Sequence, residues 1–201
     1  MFASFVSNYI IYFSILGYSY LFKKILNPKE KYIKIYNLDF LYGLFFLIFL
    51  SIFLNFLIPL FKVSHIVFMI GIVFFFYIFF KKIININLFY FGLILFFFSL
   101  ITYDNGNNVD SQVYHIQTIK WSYLHKITFG ISNLDWLYSL NSSWHILLSL
   151  LKFKYNNFDT IYVLNLIPIT ILYYQIFLMQ DKIKSIGFIS LFFSGLYLII
   201  F

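Results

Sequence analysis

Along this chain the polar residues do not alternate with apolar ones. They gather in clusters between runs of roughly 20 apolar residues, the length that carries a helix across a hydrocarbon layer. Such runs cover about 2–22, 38–59, 63–80, 86–103, 160–179 and 185–201. The expected fold class is all-α, a polytopic transmembrane helix bundle of about six spans, read as one membrane domain over 1–201. Backbone groups in lipid must be satisfied within the segment itself, and a helix does this. The first run has neither the basic start nor the small-residue cleavage site of a signal peptide, so it is expected to stay as a helix. No internal repeat is evident. Ser, Thr, Asn and Gln inside the runs are expected to face neighbouring helices, and Pro168 to kink the fifth.

The linkers are short and basic. Lys23 to Lys34 holds five lysines and Pro28, which breaks a continuing helix. Lys81-Lys82 closes the third run, and Lys182 and Lys184 lie between the last two. Alternation puts these nine lysines at one side, and the other five (Lys62, Lys120, Lys126, Lys152, Lys154) on the other, spread over far more residues. The positive-inside rule then predicts an extracytoplasmic N-terminus and an extracytoplasmic loop 104–158. The last run reaches Phe201 with no polar flank, so the chain is expected to be the N-terminal part of a longer protein.

The loop 104–158 is the one long polar interruption, and it holds His115, His125 and His145 with Asp104, Asp110 and Asp135. Asp104 to Asn108 reads as a turn cluster around Asn-Gly, and Asp110 or Asn108 as the cap of a helix from Ser111 to about His125. On that helix Val113, Ile116, Ile119, Tyr123 and Leu124 follow one face. His115, Thr118, Ser122 and His125 follow another. This pattern predicts a helix lying in the membrane interface. Trp144 to Leu151 is too short to span and is expected to be interfacial or re-entrant.

Composition narrows the function classes. With 62% hydrophobic and 10% charged residues and a mean hydropathy of +0.88, a soluble domain is excluded. The partner expected first is the lipid bilayer. The net charge of +7 comes wholly from lysine, since arginine is absent, and the lysines flank spans rather than form a stripe, so nucleic acid is not an expected partner. Without cysteine there is no disulfide framework or thiolate site. His115 and His125 lack metal-ligand spacing, so no dedicated metal site is assigned from the residues.

One segment carries a resemblance. Asp110-Ser-Gln-Val-Tyr114-His115-Ile-Gln117-Thr-Ile-Lys120-Trp121, followed by Asn133-Leu134 and Asn141-Ser142-Ser143-Trp144, resembles the signature of a little-characterised family of large bacterial polytopic membrane proteins. That family is similar in layout to the GT-C glycosyltransferases, which use polyprenyl-phosphate sugars. The resemblance implies a multi-pass protein of the inner (plasma) membrane acting outside the cytoplasm in surface polysaccharide or glycolipid assembly. In GT-C enzymes an acidic residue of the first outer loop is the catalytic base or helps hold a metal. By this resemblance Asp110 deprotonates the acceptor hydroxyl and His115 acts near the donor phosphate. Tyr114, Gln117, Lys120, Trp121 and Asn141 contact substrate, the donor is a polyprenyl-phosphate sugar, and a divalent metal ion is the one cofactor candidate. Asp135 and Leu137 stand where the family tends to carry His and Arg, and the planar fork of Arg suits a phosphate. Lys120 and Lys126 are the point charges left for that task. Two other classes fit the hydropathy: a non-catalytic membrane component, and a polysaccharide polymerase or flippase. The latter usually needs arginines, which this chain lacks.

Overall fold

The computed structural model describes residues 2–30, 33–101, 115–127, 142–152, 154–155, 158–159 and 166–178. Among the described residues seven helices follow one another: α1 Phe2–Leu26, α2 Phe40–Leu57, α3 Ser64–Phe80, α4 Leu88–Ile101, α5 Ile116–Leu124, α6 Ser143–Leu150 and α7 Leu166–Leu178. Short 3₁₀ turns, Asn37–Asp39 and Leu60–Lys62, precede α2 and α3. The architecture is thus helical, and five of the six expected apolar runs coincide with α1 to α4 and α7. The run 185–201 lies outside the described residues. One local departure from an all-α chain is an antiparallel pairing of β1, Lys154–Tyr155, with β2, Phe158–Asp159. The pair flanks Asn156-Asn157 in sequence, a turn-prone dipeptide that hydropathy does not register.

Helix α1 extends past its apolar run to Leu26. Lys23 and Lys24 occupy its last turn, where the helix dipole favours cations. Their ammonium groups are also anchored: Lys23 Nζ lies 2.8 Å from Asp39 Oδ2, and Lys24 Nζ donates to the Glu30 carbonyl at 2.8 Å. The helix stops just before Asn27-Pro28, as a residue preceding proline disfavours helical backbone.

Helix α1 is the axis of the bundle, touching α2, α3, α4 and α7. Its contact with α3 is made backbone to backbone: a Cβ placed on Gly17 would run into the Gly71 carbonyl, and one on Gly71 into Ser14. Glycine at both positions lets the helices approach closely, the device of small-residue interfaces in membranes. Hydroxyls then bond across the gap, Ser14 Oγ to the Phe68 carbonyl at 3.1 Å and Tyr18 Oη to the Val67 carbonyl at 2.6 Å. On the opposite flank Tyr12 stacks on Phe91 of α4 with ring centroids 3.9 Å apart.

The interior is rich in small polar residues, and the outer faces are apolar. Ser7, Asn8, Ser14, Ser19, Ser51 and Asn55 are among the buried polar residues. Several satisfy their hydroxyls on the preceding turn, as Ser99 does on the Leu95 carbonyl at 2.8 Å and Thr170 on that of Leu166 at 2.8 Å. The expectation that polar residues within the apolar runs face other helices is met at these positions. By contrast Phe49 is 71% exposed and Phe80 76%. Two helical segments, Phe5–Leu26 and Asn37–Leu57, are long and apolar enough to cross a membrane; Ser64–Phe80, Leu88–Leu100 and Leu166–Ile176 are shorter apolar helices.

The two ends of the bundle differ. At one end the α1–α2 and α3–α4 connections are knitted together: the Ile35 amide donates to the Ile83 carbonyl at 3.1 Å, and the Asn85 amide to that of Ile35 at 2.8 Å. Lys82 turns the chain there with a φ of 54°, a left-handed conformation. At the other end, the turn between α2 and α3 is covered by α5 and α6.

Candidate functional site: the α5–α6 cap

Helix α6 starts at a built cap, Ser142, whose side chain accepts from the Trp144 amide at 3.1 Å. It does not lie with one face open. His145 through Leu150 are all buried, between α2 and α5.

The faces of α5 differ from the sequence expectation. The stripe of small polar residues, expected to look away from the apolar one, is the packed side: Thr118, Ile119 and Ser122 are buried while Trp121 and Leu124 are exposed. The physical reason is close approach to α6. Small hydroxyl side chains allow it and still find acceptors, Ser122 Oγ on the Thr118 carbonyl at 3.1 Å and Ser149 Oγ on the Ile119 carbonyl at 2.9 Å.

Asn55 of α2 fastens this pair to the bundle. Its Nδ2 donates to the carbonyls of Ser122 and His125 at 2.9 and 3.0 Å, and its own carbonyl accepts from the Ile127 amide at 2.9 Å. A helix leaves its last carbonyls without intrahelical partners, and this one amide serves two of them at the end of α5. Tyr123 is held between Phe61, with ring centroids 6.2 Å apart, and the ammonium of Lys152, 5.0 Å from its ring centroid.

At the centre of the cap stand two histidines. His115 Nδ1 lies 3.0 Å from His145 Nε2, with the rings edge to face at 4.9 Å between centroids. One nitrogen must carry the proton and the other the lone pair, and the tautomers decide which. Burial, and then the neighbouring His115, hold the His145 pKa below the ordinary histidine value. A neutral imidazole is a competent proton acceptor, and its partner is thereby fixed in one tautomer and orientation.

Of the site residues expected from the sequence, Asp110, Tyr114 and Asn141 lie outside the described residues. His115 is half-buried and turned toward α6. Gln117, Lys120 and Trp121 are exposed. Lys120 follows His115 by five positions, about 140° round a helix, so the two do not share a face. No group of three or more potential metal ligands occurs among the described residues. Sequence reasoning left His145 and Asn55 out of the site. His145 shows no signal until α5 and α6 are paired in space, and Asn55 carried only the general cue of an amide within an apolar run.

The model of one protein family matches residues 1–201. The chain belongs to the family described as a domain of unknown function, DUF8201. The match takes in α1 to α7 and therefore both the helical bundle and its cap. No curated protein and no solved structure matches the chain.

Proposed function

We propose that this chain is a multi-pass integral membrane protein whose α5–α6 cap lies on the extracytoplasmic side, and that it acts as a GT-C-like glycosyltransferase on a lipid-phosphate sugar. The membrane part of this reading is supported by the outward faces of the bundle. Phe45, Phe49 and Phe53 on α2, Ile66, Val73 and Phe80 on α3, and Phe89, Leu93 and Leu100 on α4 are all exposed, while serines and asparagines are inside. Soluble monomers rarely expose contiguous apolar patches beyond a few hundred Å². In lipid the same arrangement is favourable, because the bilayer solvates the phenylalanines and several of the interior polar groups, Ser14, Ser19, Ser51 and Asn55 among them, bond within the protein.

The observation that carries the catalytic part is the seating of the His115–His145 pair in a polar cap at the end of the bundle opposite the lysine-bearing connections. In this reading the cap sits at headgroup level, where a lipid-linked donor presents its phosphate. His145 fixes the tautomer of His115, and His115 hydrogen-bonds or protonates the phosphate side of the leaving group. Asp110, the base that the resemblance implies, takes the proton of the acceptor hydroxyl. Lys120, on the outer side of α5, offsets phosphate charge as it arrives.

Membranes containing the protein, supplied with polyprenyl-phosphate sugars and an acceptor lipid, test the proposal. Transfer by the wild type should fall at least a hundredfold in Asp110→Asn and in His115→Gln, about the contribution of general acid–base groups. Transfer that survives both substitutions unchanged would remove the catalytic roles assigned here.

A further inference from the structure

The end of the bundle opposite the cap carries a pocket that the chemistry above does not use. There the α1–α2 connection, the α3–α4 connection and α7 border a space of about 740 Å³, within the range of small-molecule sites. Its polar lining is Tyr36, Asn85, Asn87 and Tyr174, and the rest of its wall is aliphatic. The two connections are held together by the backbone bonds from the Ile35 amide to the Ile83 carbonyl and from the Asn85 amide to the Ile35 carbonyl.

Tyr174 is the buried member of the lining. It is 2% exposed, its ring lies edge to face with Phe91 at 6.0 Å between centroids, and its hydroxyl oxygen accepts from the Asn87 amide at 3.0 Å. That bond engages the oxygen and leaves the O–H hydrogen without an acceptor among the described residues. A buried donor left unmet is costly, so this group calls for an acceptor from outside the chain. Asn87 adds to the demand. Its Oδ1 caps α4 by accepting from the Tyr90 amide at 3.3 Å, which leaves both hydrogens of Nδ2 to give.

No lining residue is charged. Lys23, whose ammonium lies 5.9 Å from the Tyr36 ring centroid, is paired with Asp39 at 2.8 Å. A charged ligand would find no counter-charge in this wall, and a wholly apolar one would leave the Tyr174 and Asn87 donors unmet. The lining suits a neutral molecule with hydroxyl oxygens along its edge and C–H groups on its faces.

We propose that this pocket binds a neutral hexopyranose unit, either a free sugar or the headgroup of a glycolipid. Sugar oxygens accept from Tyr174 Oη and Asn87 Nδ2, Asn85 bonds a further hydroxyl, and the Tyr36 ring covers one face. The site is separate from the His115–His145 pair and does not depend on the catalysis assigned to it.

Calorimetric titration of the full chain in an amine-oxide detergent, which carries no sugar of its own, tests the site. The probes are methyl glucoside, methyl galactoside, methyl glucuronide and a short-chain glucosyl diacylglycerol. A neutral probe should bind, and the glucuronide more weakly. Tyr174→Phe keeps the ring and removes the donor, and Asn87→Asp keeps the cap of α4 and removes the Nδ2 hydrogens, so each should weaken binding about fivefold. Tyr36→Ala should weaken it too, and Tyr36→Phe less. Binding of a free glycoside as tight as that of the lipid makes the ligand a free sugar, and binding of the lipid alone makes it a headgroup; either result upholds the site. No binding of any neutral probe, or binding indifferent to both Tyr174→Phe and Asn87→Asp, overturns it, and tighter binding of the glucuronide overturns the neutral ligand. His115→Gln should leave binding unchanged, and a loss there would move the sugar to the cap and overturn the pocket.

Discussion

His115 Nδ1 and His145 Nε2 meet at 3.0 Å across 30 positions of sequence, and this contact ties α5 to α6 at the heart of the cap. It holds only while one of the two nitrogens lacks a proton.

The cap should therefore loosen in acid. Folding holds the His145 pKa below its unfolded value, through burial and then the adjacent His115, so the native state binds fewer protons than the unfolded one. The stabilisation is complete above the unfolded value of about 6.5 and is lost as pH falls below it. Thermal unfolding in detergent should show a midpoint that drops between pH 7.5 and 5. In His145→Gln that drop should be smaller, and an unchanged pH profile would exclude His145 as its source.

Asn55 should matter to the cap more than to the rest of the bundle. Asn55→Leu removes two hydrogen bonds at the end of α5, one of them to the buried Ser122 carbonyl, and leaving that group unsatisfied costs about 1–3 kcal/mol. Hydrogen exchange should speed up over 116–127 and stay unchanged in α1 and α3. Uniform acceleration would mean that Asn55 stabilises the bundle as a whole.

The crossing of α1 with α3 should not tolerate a methyl group. Gly17→Ala pushes a Cβ into the Gly71 carbonyl, and overpacking of this kind typically costs about 1–3 kcal/mol. Gly92→Ala is the milder comparison, since the atoms its Cβ would meet first belong to the Tyr9 side chain, at 3.3 Å, and not to a neighbouring backbone. Comparable midpoints for the two variants in a detergent melt would refute the backbone contact.

Much of the bundle is legible in sequence because lipid-length apolar runs and the lysines between them are one-dimensional signals. They mark α1 to α4 and α7 without knowledge of any contact. What they miss depends on partners distant in the chain. Helix α1 continues to Leu26 because Asp39 and Glu30 receive its last two lysines. The packed face of α5 is its hydroxyl stripe because α6, not lipid, lies against it. Helical spacing sorts α5 by polarity but cannot say what each residue will meet: Ile119 of the apolar stripe is buried with Thr118 and Ser122, and His125 of the polar stripe is exposed. The histidine pair is invisible for the same reason, since His145 becomes a partner of His115 only where α5 and α6 pack together.

The central claim is that the bundle crosses a membrane with its cap outside and its lysine-bearing connections inside. The chain has no cysteine, so single cysteines report their side without background. Gln117→Cys on the exposed side of α5, and Lys29→Cys and Lys82→Cys in the two connections at the other end, are all at exposed positions. A membrane-impermeant maleimide on intact cells should label Gln117→Cys at once, and the two lysine positions only after permeabilisation. Labelling of Lys29→Cys or Lys82→Cys from outside, with Gln117→Cys protected, would invert the topology and contradict the account.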